Sequence, residues 1–344
     1  MERNMNFKKI ICRLVCIVKI PEAYMYFRKR IFGNHIVIFV YHRVCPGKGN
    51  LPVSNIYPEE FEKQIRYLKE NFKIYSLEKL INVLENNQKN KKESENIAVI
   101  TFDDGYKDNY LYAYPILKKY KIPATIFLIG NYIGKDKLFW WDKIEYIIYH
   151  TKKGKINIPN FGKFLITNKK KKFYCILFLL KKFKRMSNNL RDKHISELQN
   201  ICRVRIPAGL GKKMILSWDE IREMKDNEIS FGAHTLTHAN LLNMNLEEAE
   251  SEISHSKAII EDKLKGDVIS FAYPYGSKFY NHDIIKLLEK NGFVCAVTTS
   301  EKLINRINFC NLYSLPRISA GNYYCSFTIK ASGMFSDFHN ILHS

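Results

Sequence analysis

The 344-residue sequence predicts a parallel α/β architecture. Short, continuous apolar runs with the character of strands buried on both faces alternate with segments of helical periodicity. Polar residues follow at the ends of these runs: His42, Asp103, Asp104, His234, Tyr275 and Arg317. These residues come from segments far apart in the chain. Parallel α/β barrels gather their working residues at the C-terminal ends of strands, so one shared site is expected.

Element by element, Lys8-Lys9 precede a short apolar stretch, residues 10–18, that Arg13 interrupts, and no clear small-residue cleavage site follows. Residues 1–33 read as a basic amphipathic lead-in, either touching a membrane or packed as an ordinary helix. Residues 36–41 are wholly apolar and close on His42-Arg43. Pro58 opens a helix with Phe61, Ile65 and Leu68 at helical spacing, and a second helix follows over residues 76–84. The polar residues 86–96 form a surface loop. Residues 97–102 are the second buried strand and end at Asp103; a helix over 109–119 and a strand over 124–129, bounded by Pro123 and Gly130, complete this half.

Regularity then breaks. Residues 141–213 are Lys-rich, with Lys169 to Lys172 before an apolar run, 173–180, and Lys181-Lys182-Phe183-Lys184-Arg185 after it. This reads as an irregular insertion or lid on the barrel that lies on a membrane, covers a sugar cleft, or packs as a helix with solvated lysine ends. Alternation resumes at Ser217, with strands at 229–233, 268–272, 294–299 and 312–318 and helices at 246–263 and 283–291. The barrel spans residues 34–333, and 334–344 form a peripheral C-terminal tail.

Hydrophobic content of 46% and 13% aromatics exclude a disordered chain. The net charge of +21 favours anionic partners, although most of it reads as solvated lysine. Charge alone is no basis for nucleic-acid binding, and none is expected. Cys12, Cys16, Cys45, Cys175, Cys202, Cys295, Cys310 and Cys325 are scattered without a C-x-x-C pair. That spacing fits free thiols in a reducing compartment, the cytoplasm or the inner face of the membrane.

Three clusters carry chemistry: Thr101-Phe102-Asp103-Asp104-Gly105, His234-Thr235-Leu236-Thr237-His238, and Phe271-Ala272-Tyr273-Pro274-Tyr275-Gly276. Adjacent side chains diverge on a strand, so Asp103 and Asp104 are able to divide the work, one on a metal and one as base. Asp-Asp-Gly is also ordinary turn chemistry. His234 and His238 are four apart, and one helical turn would bring both rings to the same side. With one carboxylate they make a facial set with open positions, in which Zn²⁺ lowers the pKa of its water to about 7. His42 closes an apolar strand, and the residue alone fits a structural histidine and a proton donor equally. Exposed aromatics at 139–141 would stack on sugar rings or pack in the core.

Together the clusters resemble the motifs of the polysaccharide deacetylases, the NodB-homology enzymes of carbohydrate esterase family 4, over residues 35–318 outside the insertion. The resemblance implies a distorted (β/α)7 barrel, NodB-type and TIM-like, with a Lys-rich insertion. It implies Asp103 as general base, Asp104, His234 and His238 as metal ligands, and the backbone N–H of Tyr275 as an oxyanion donor. Many members carry an Arg two residues before the motif's Pro; here that position is Ala272, and Arg317 is the candidate substitute. Tyr41-His42-Arg43 resembles the rearranged branch in which an N-terminal strand supplies the general acid, which assigns that role to His42. The implied reaction is hydrolytic N-deacetylation of an N-acetylglucosamine-containing glycan. The implied cofactor is a divalent metal, Zn²⁺ or else Co²⁺, Ni²⁺ or Fe²⁺, and the implied partner is an acetylated carbohydrate, with peripheral membrane contact. De-O-acetylation, hydrolysis of another small amide, and a silent glycan- or membrane-binding protein are the alternatives.

Overall fold

The computed structural model describes residues 18–47, 55–86, 95–276, 279–305 and 311–337. Its main sheet has nine strands: β1 (His35–Tyr41), β2 (Lys73–Ile74), β3 (Ile97–Phe102), β4 (Ala124–Leu128), β5 (Ile229–Ala233), β6 (Ser270–Ala272), β7 (Cys295–Val297), β8 (Ile304–Asn305) and β9 (Ile318–Ser319). The order is β7-β6-β5-β4-β3-β1-β8, with β2 beside β3 and β9 beside β1. Neighbours are parallel except at β8, which runs antiparallel to β1.

The sheet curls until its ends meet. Leu315 bridges Val297 in parallel, its N–H donating to Ala296 O at 2.9 Å while Thr298 N–H donates to Leu315 O at 2.8 Å. Three residues on, β9 takes up a parallel register with β1, Phe39 opposite Ile318 and Val40 opposite Ser319. Residues 315–319 are therefore the stave that closes a distorted (β/α)7 barrel. Sequence reading had one strand over 312–318. Instead a tight turn, Leu312–Ser314, precedes this short stave, because the chain must cross from β7 to β1.

Strand alternation sorts the barrel into two cores. Ile36, Ile38, Val99, Phe127, Ala272, Val297 and Leu315 fill the interior, packed with Leu77, Leu80, Ile81 and Leu84 of the helix Leu77–Asn86. Val37, Phe39, Ile100, Phe102, Ile126, Phe231, Phe271 and Ile318 face outward into the helical layer. Each large apolar side chain so buried contributes about 1.5–3 kcal/mol. Carried past the strand ends, the same alternation puts His42, Asp103, His234 and Arg317 on the inner parity.

In chain order the helices are α1 (Ile20–Phe32), α2 (Pro58–Asn71), α3 (Leu77–Asn86), α4 (Tyr114–Tyr120), α5 (Trp140–His150), α6 (Lys169–Phe183), α7 (Asn188–Cys202), α8 (Leu210–Met214), α9 (Trp218–Lys225), α10 (Leu246–Leu264), α11 (His282–Lys290) and α12 (Tyr324–Ala331). The helix expected over 109–119 begins as a wide π-type turn, Asn109–Ala113, and becomes regular only at Tyr114. Pro115, which lacks an N–H, sits in the first regular turn, where none is needed.

The segment 141–213 is not irregular. After α5 come the antiparallel strands Lys155–Ile158 and Gly162–Leu165, then α6, α7 and α8. This unit has its own core, including Ile144, Ile148, Ile156, Cys175, Ile176, Leu179, Phe183, Ile195 and Leu198. Cys175, Ile176, Leu179 and Phe183 line one face of α6, a helical pattern that the flanking lysines disguise.

Residues 1–17 of the expected lead-in, and the greater part of the loop expected at 86–96, lie outside the described residues. In α1, Met25 and Arg28 are buried while Ile20, Phe27 and Ile31 are exposed. Residues 334–337, expected at the periphery, return to the body: Asp337 Oδ2 accepts from Arg28 Nε at 2.6 Å. No described helix is long and apolar enough to cross a membrane.

Candidate active site

Asp103 follows β3 on the inner parity, held by its N–H to Tyr41 O at 3.0 Å. Its carboxylate takes a two-pronged grip from Arg317: Nη1 to Oδ1 and Nη2 to Oδ2, both at 2.7 Å. Arg317 is wholly buried (0% exposed), and its other donors are satisfied, Nε by Thr298 O at 3.0 Å and Nη1 also by Thr101 Oγ1 at 3.1 Å. Burial by itself would raise the Asp103 pKa, but the Arg317 charge, the charge of His234 and the Arg317 hydrogen bonds overcome it and bring the carboxyl down to about 2. Asp103 is a fixed, ionised carboxylate.

Asp104 turns the other way. Its φ of 77° and the φ of 80° at Gly105 are left-handed, and they swing the Asp104 side chain out of register with its neighbour. Gly105 also has no room for a side chain: a Cβ there would lie 2.9 Å from Ile133 Cδ1 and Leu128 Cδ2. Asp104 Oδ1 faces His234 Nε2 at 3.6 Å and His238 Nε2 at 3.7 Å.

The two histidines are not on a helical turn. Residues 234–240 form a loop, with Thr235 at φ 63° and His238 at φ 58°. The left-handed residues fold the loop so that both rings meet, with centroids 4.9 Å apart. Glu252, from α10, pins the loop by accepting from Thr237 N at 2.8 Å and Thr237 Oγ1 at 2.6 Å. The sequence reading missed Glu252, although its place among Ala249, Ile253, Ser256 and Ile260 on the buried face of α10 is the signal that finds it.

A divalent cation fits these residues. His234 Nδ1 is engaged with Ala272 O at 2.7 Å, which leaves Nε2 for a ligand bond. Asp104 Oδ1 is buried without a hydrogen-bond partner. The three ligand atoms lie within 4.8 Å of one another, and the separations at Asp104 are close to the roughly 3.3 Å expected of two ~2.0 Å bonds at a tetrahedral angle. Burial lowers the pKa of His234 to about 4 and that of His238 well below its usual value, so both present neutral, ligand-competent rings. Burial, with Asp103 and Asp142 adding, raises Asp104, a cost that a bound cation would cancel.

The remaining sequence-predicted residues converge on the same place. Tyr275 adopts φ 67°, its OH donates to His238 O at 3.1 Å, and its ring centroid is 4.6 Å from that of His238. Its backbone N–H has no hydrogen-bond partner among the described residues. His42 leaves the end of β1 half-buried. Burial lowers its pKa, Asp103 opposes the shift and Arg317 adds to it, so its surroundings are those of the Asp103–Arg317 ion pair. Ala272 lies in the interior with Phe127, over whose ring the Arg317 guanidinium sits at 5.4 Å. Of the aromatics at 139–141, Phe139 and Trp140 are core residues, not exposed ones. Trp141 is half-buried with its ring 4.6 Å from His238, and it donates from Nε1 to Tyr106 OH at 2.6 Å.

A fixed carboxylate beside a convergent Asp-His-His set is suited to metal-assisted hydrolysis. Comparison with known proteins agrees. The family described as polysaccharide deacetylase matches residues 90–296, more than half of the chain. YxkH of Bacillus subtilis is 25% identical over 282 residues, 82% of this chain and 70% of that protein. The poly-β-1,6-N-acetyl-D-glucosamine N-deacetylase of Staphylococcus epidermidis is 25% identical over 305 residues, 84% of this chain and 80% of that one. Among solved structures, IcaB from Ammonifex degensii superposes with a TM-score of 0.58 at 18% identity, covering 87% of this chain and 98% of its own, which speaks for the fold.

Proposed function

The chain belongs to the polysaccharide deacetylase family, and from that membership we propose that it hydrolyses N-acetyl groups from an N-acetylglucosamine-containing glycan. The observation that carries the proposal is the unlike treatment of two adjacent aspartates. Asp103 is clamped by Arg317 and held off the ligand set, whereas Asp104 faces two imidazoles. Neighbouring carboxyls with opposed environments mark separate roles.

Asp104, His234 and His238 would hold the cation, Zn²⁺ or else Co²⁺, Ni²⁺ or Fe²⁺, since imidazole and carboxylate accept each of these. Bound there, it supplies Lewis acidity towards the acetyl carbonyl and the attacking water. Asp103 accepts the proton of that water, and Arg317 aims its carboxylate. The Tyr275 N–H donates to the oxyanion as the carbonyl carbon becomes tetrahedral. His42 passes a proton to the departing amine. The depressed pKa that shrinks its protonated population also makes its imidazolium the stronger donor. Trp141 offers an aromatic face to the sugar beside His238.

The test is acetate and free-amine release from N-acetylglucosamine oligomers by metal-loaded protein. Asp103→Asn is expected to lower release about 10²–10⁴-fold while its metal content stays at the wild-type level. Undiminished release by that variant refutes the assigned base, and acetate without new amine refutes N-deacetylation.

A further inference from the structure

Three arginines of the described residues are almost wholly buried: Arg28, Arg191 and Arg317. Arg28 holds Asp337 and Arg317 holds Asp103. Arg191, 3% exposed, has no carboxylate within 4.0 Å among the described residues. Its Nη2 donates to Asn188 Oδ1 at 2.6 Å, but its Nε is buried without an acceptor. Its guanidinium lies over the Trp140 ring at 4.9 Å, while the Trp140 Nε1 faces the Tyr275 hydroxyl. A buried guanidinium with a donor left unmatched is expensive.

Arg191 and Trp140 border the active site. Asn188, one turn before Arg191 on α7, donates from Nδ2 to Thr237 Oγ1 at 2.8 Å, inside the histidine loop. Trp140 stands edge-on to Trp141, which packs on His238. A second cation approaches from the same inserted unit. Lys184 Nζ sits 4.6 Å from the Tyr275 ring centroid and 4.4 Å from that of Phe279, also with no carboxylate within 4.0 Å among the described residues. Guanidinium and ammonium together are the chemistry that receives an oxyanion.

We propose that Arg191 and Lys184 form a subsite for an anionic substituent, phosphate or carboxylate, carried by the acetylated sugar. The proposal rests on the deacetylase reading of the adjoining centre and narrows its substrate class to acidic N-acetylated sugars.

Calorimetric titration of the full chain at fixed ionic strength tests it, with N-acetylglucosamine, N-acetylglucosamine 1-phosphate and N-acetylmuramic acid as probes. At least one anionic sugar is expected to bind tenfold or more tightly than the neutral one, and the two anionic arms distinguish phosphate from carboxylate. Arg191→Gln is expected to erase that preference and Lys184→Gln to reduce it several-fold, whereas Lys182→Gln, an exposed change on the same helix, leaves it intact. Should Arg191→Gln fail to fold, Lys184→Gln decides alone, and an unaltered preference overturns the subsite. Equal affinity for the three sugars, or binding of none, also overturns it, in which case the Arg191 Nε is served by water. Acetate release from neutral oligomers would then still uphold the hydrolase. Anion-selective binding without acetate release would do the reverse, supporting the subsite and refuting the hydrolase.

Discussion

Single residues determine what this centre is able to do, and a few backbone torsions determine where those residues point. Asp103 continues the parity of β3, whereas Asp104 leaves it through a left-handed φ of 77°. The first is thereby delivered to Arg317 and the second to the imidazoles. His42 continues β1 in the same way, and its assigned role has a distinctive signature. His42→Ala is expected to slow deacetylation of an N-acetylglucosamine oligomer by about 10²–10⁴-fold, because an amine leaves poorly without a proton. The same variant is expected to hydrolyse 4-nitrophenyl acetate at close to the parent rate, since nitrophenolate leaves unaided. Equal losses on both substrates would remove His42 from the acid role. The placement of His42, Asp103 and His234 at strand ends was legible in the sequence, because each follows a short apolar run. The torsions at Thr235 and His238 were not. A spacing of four suggests a helical turn, and only the loop's anchoring by Glu252 replaces that reading.

At the level of elements, strand runs with continuous apolar sequence were easy to place, and the short ones were not. Residues 315–319 make few ladder bonds of their own, and their role as a stave appears only when β7 and β1 are both in position. The inserted unit was harder to read, for a different reason. Lysines at 169–172 and 181–182 fill the first and last turns of α6, and their density hides the apolar face beneath. That face is a real core, with Phe183 at 0% exposure packed against Phe161 and His194. Phe183→Ala is expected to cost about 3–5 kcal/mol, read from the midpoint of urea unfolding. A change below about 1 kcal/mol would mean that this cluster does not hold the unit together. Lys184 and Arg191 escaped sequence reading for the same reason: amid many cations, nothing in the sequence marks the two that border the histidine loop.

Across the whole molecule, His35 links the first strand of the barrel to the last described full helix. It is 1% exposed, and its Nε2–H donates to Ala331 O at 2.8 Å. Burial lowers its pKa to about 4, from 6.5 in an open chain, so the folded protein resists its protonation. Between those values the unfolded chain binds the extra proton, and stability falls as the pH falls. The contribution is complete above about pH 6.5 and is lost by about pH 4, a swing of about 3 kcal/mol. Denaturant unfolding at a series of pH values measures it: His35→Gln is expected to flatten the slope in that window, and an unchanged slope would exclude His35 as a source of acid sensitivity. A last consequence follows from the order in which a ribosome makes this polypeptide. Asp103 emerges more than two hundred residues before Arg317, so a nascent chain carries this carboxylate without its counter-ion. Only when the stave around Arg317 docks between β7 and β1 does the carboxylate acquire its aim. The clamp on Asp103 is thus coupled to the completion of folding, and a half-made protein lacks it.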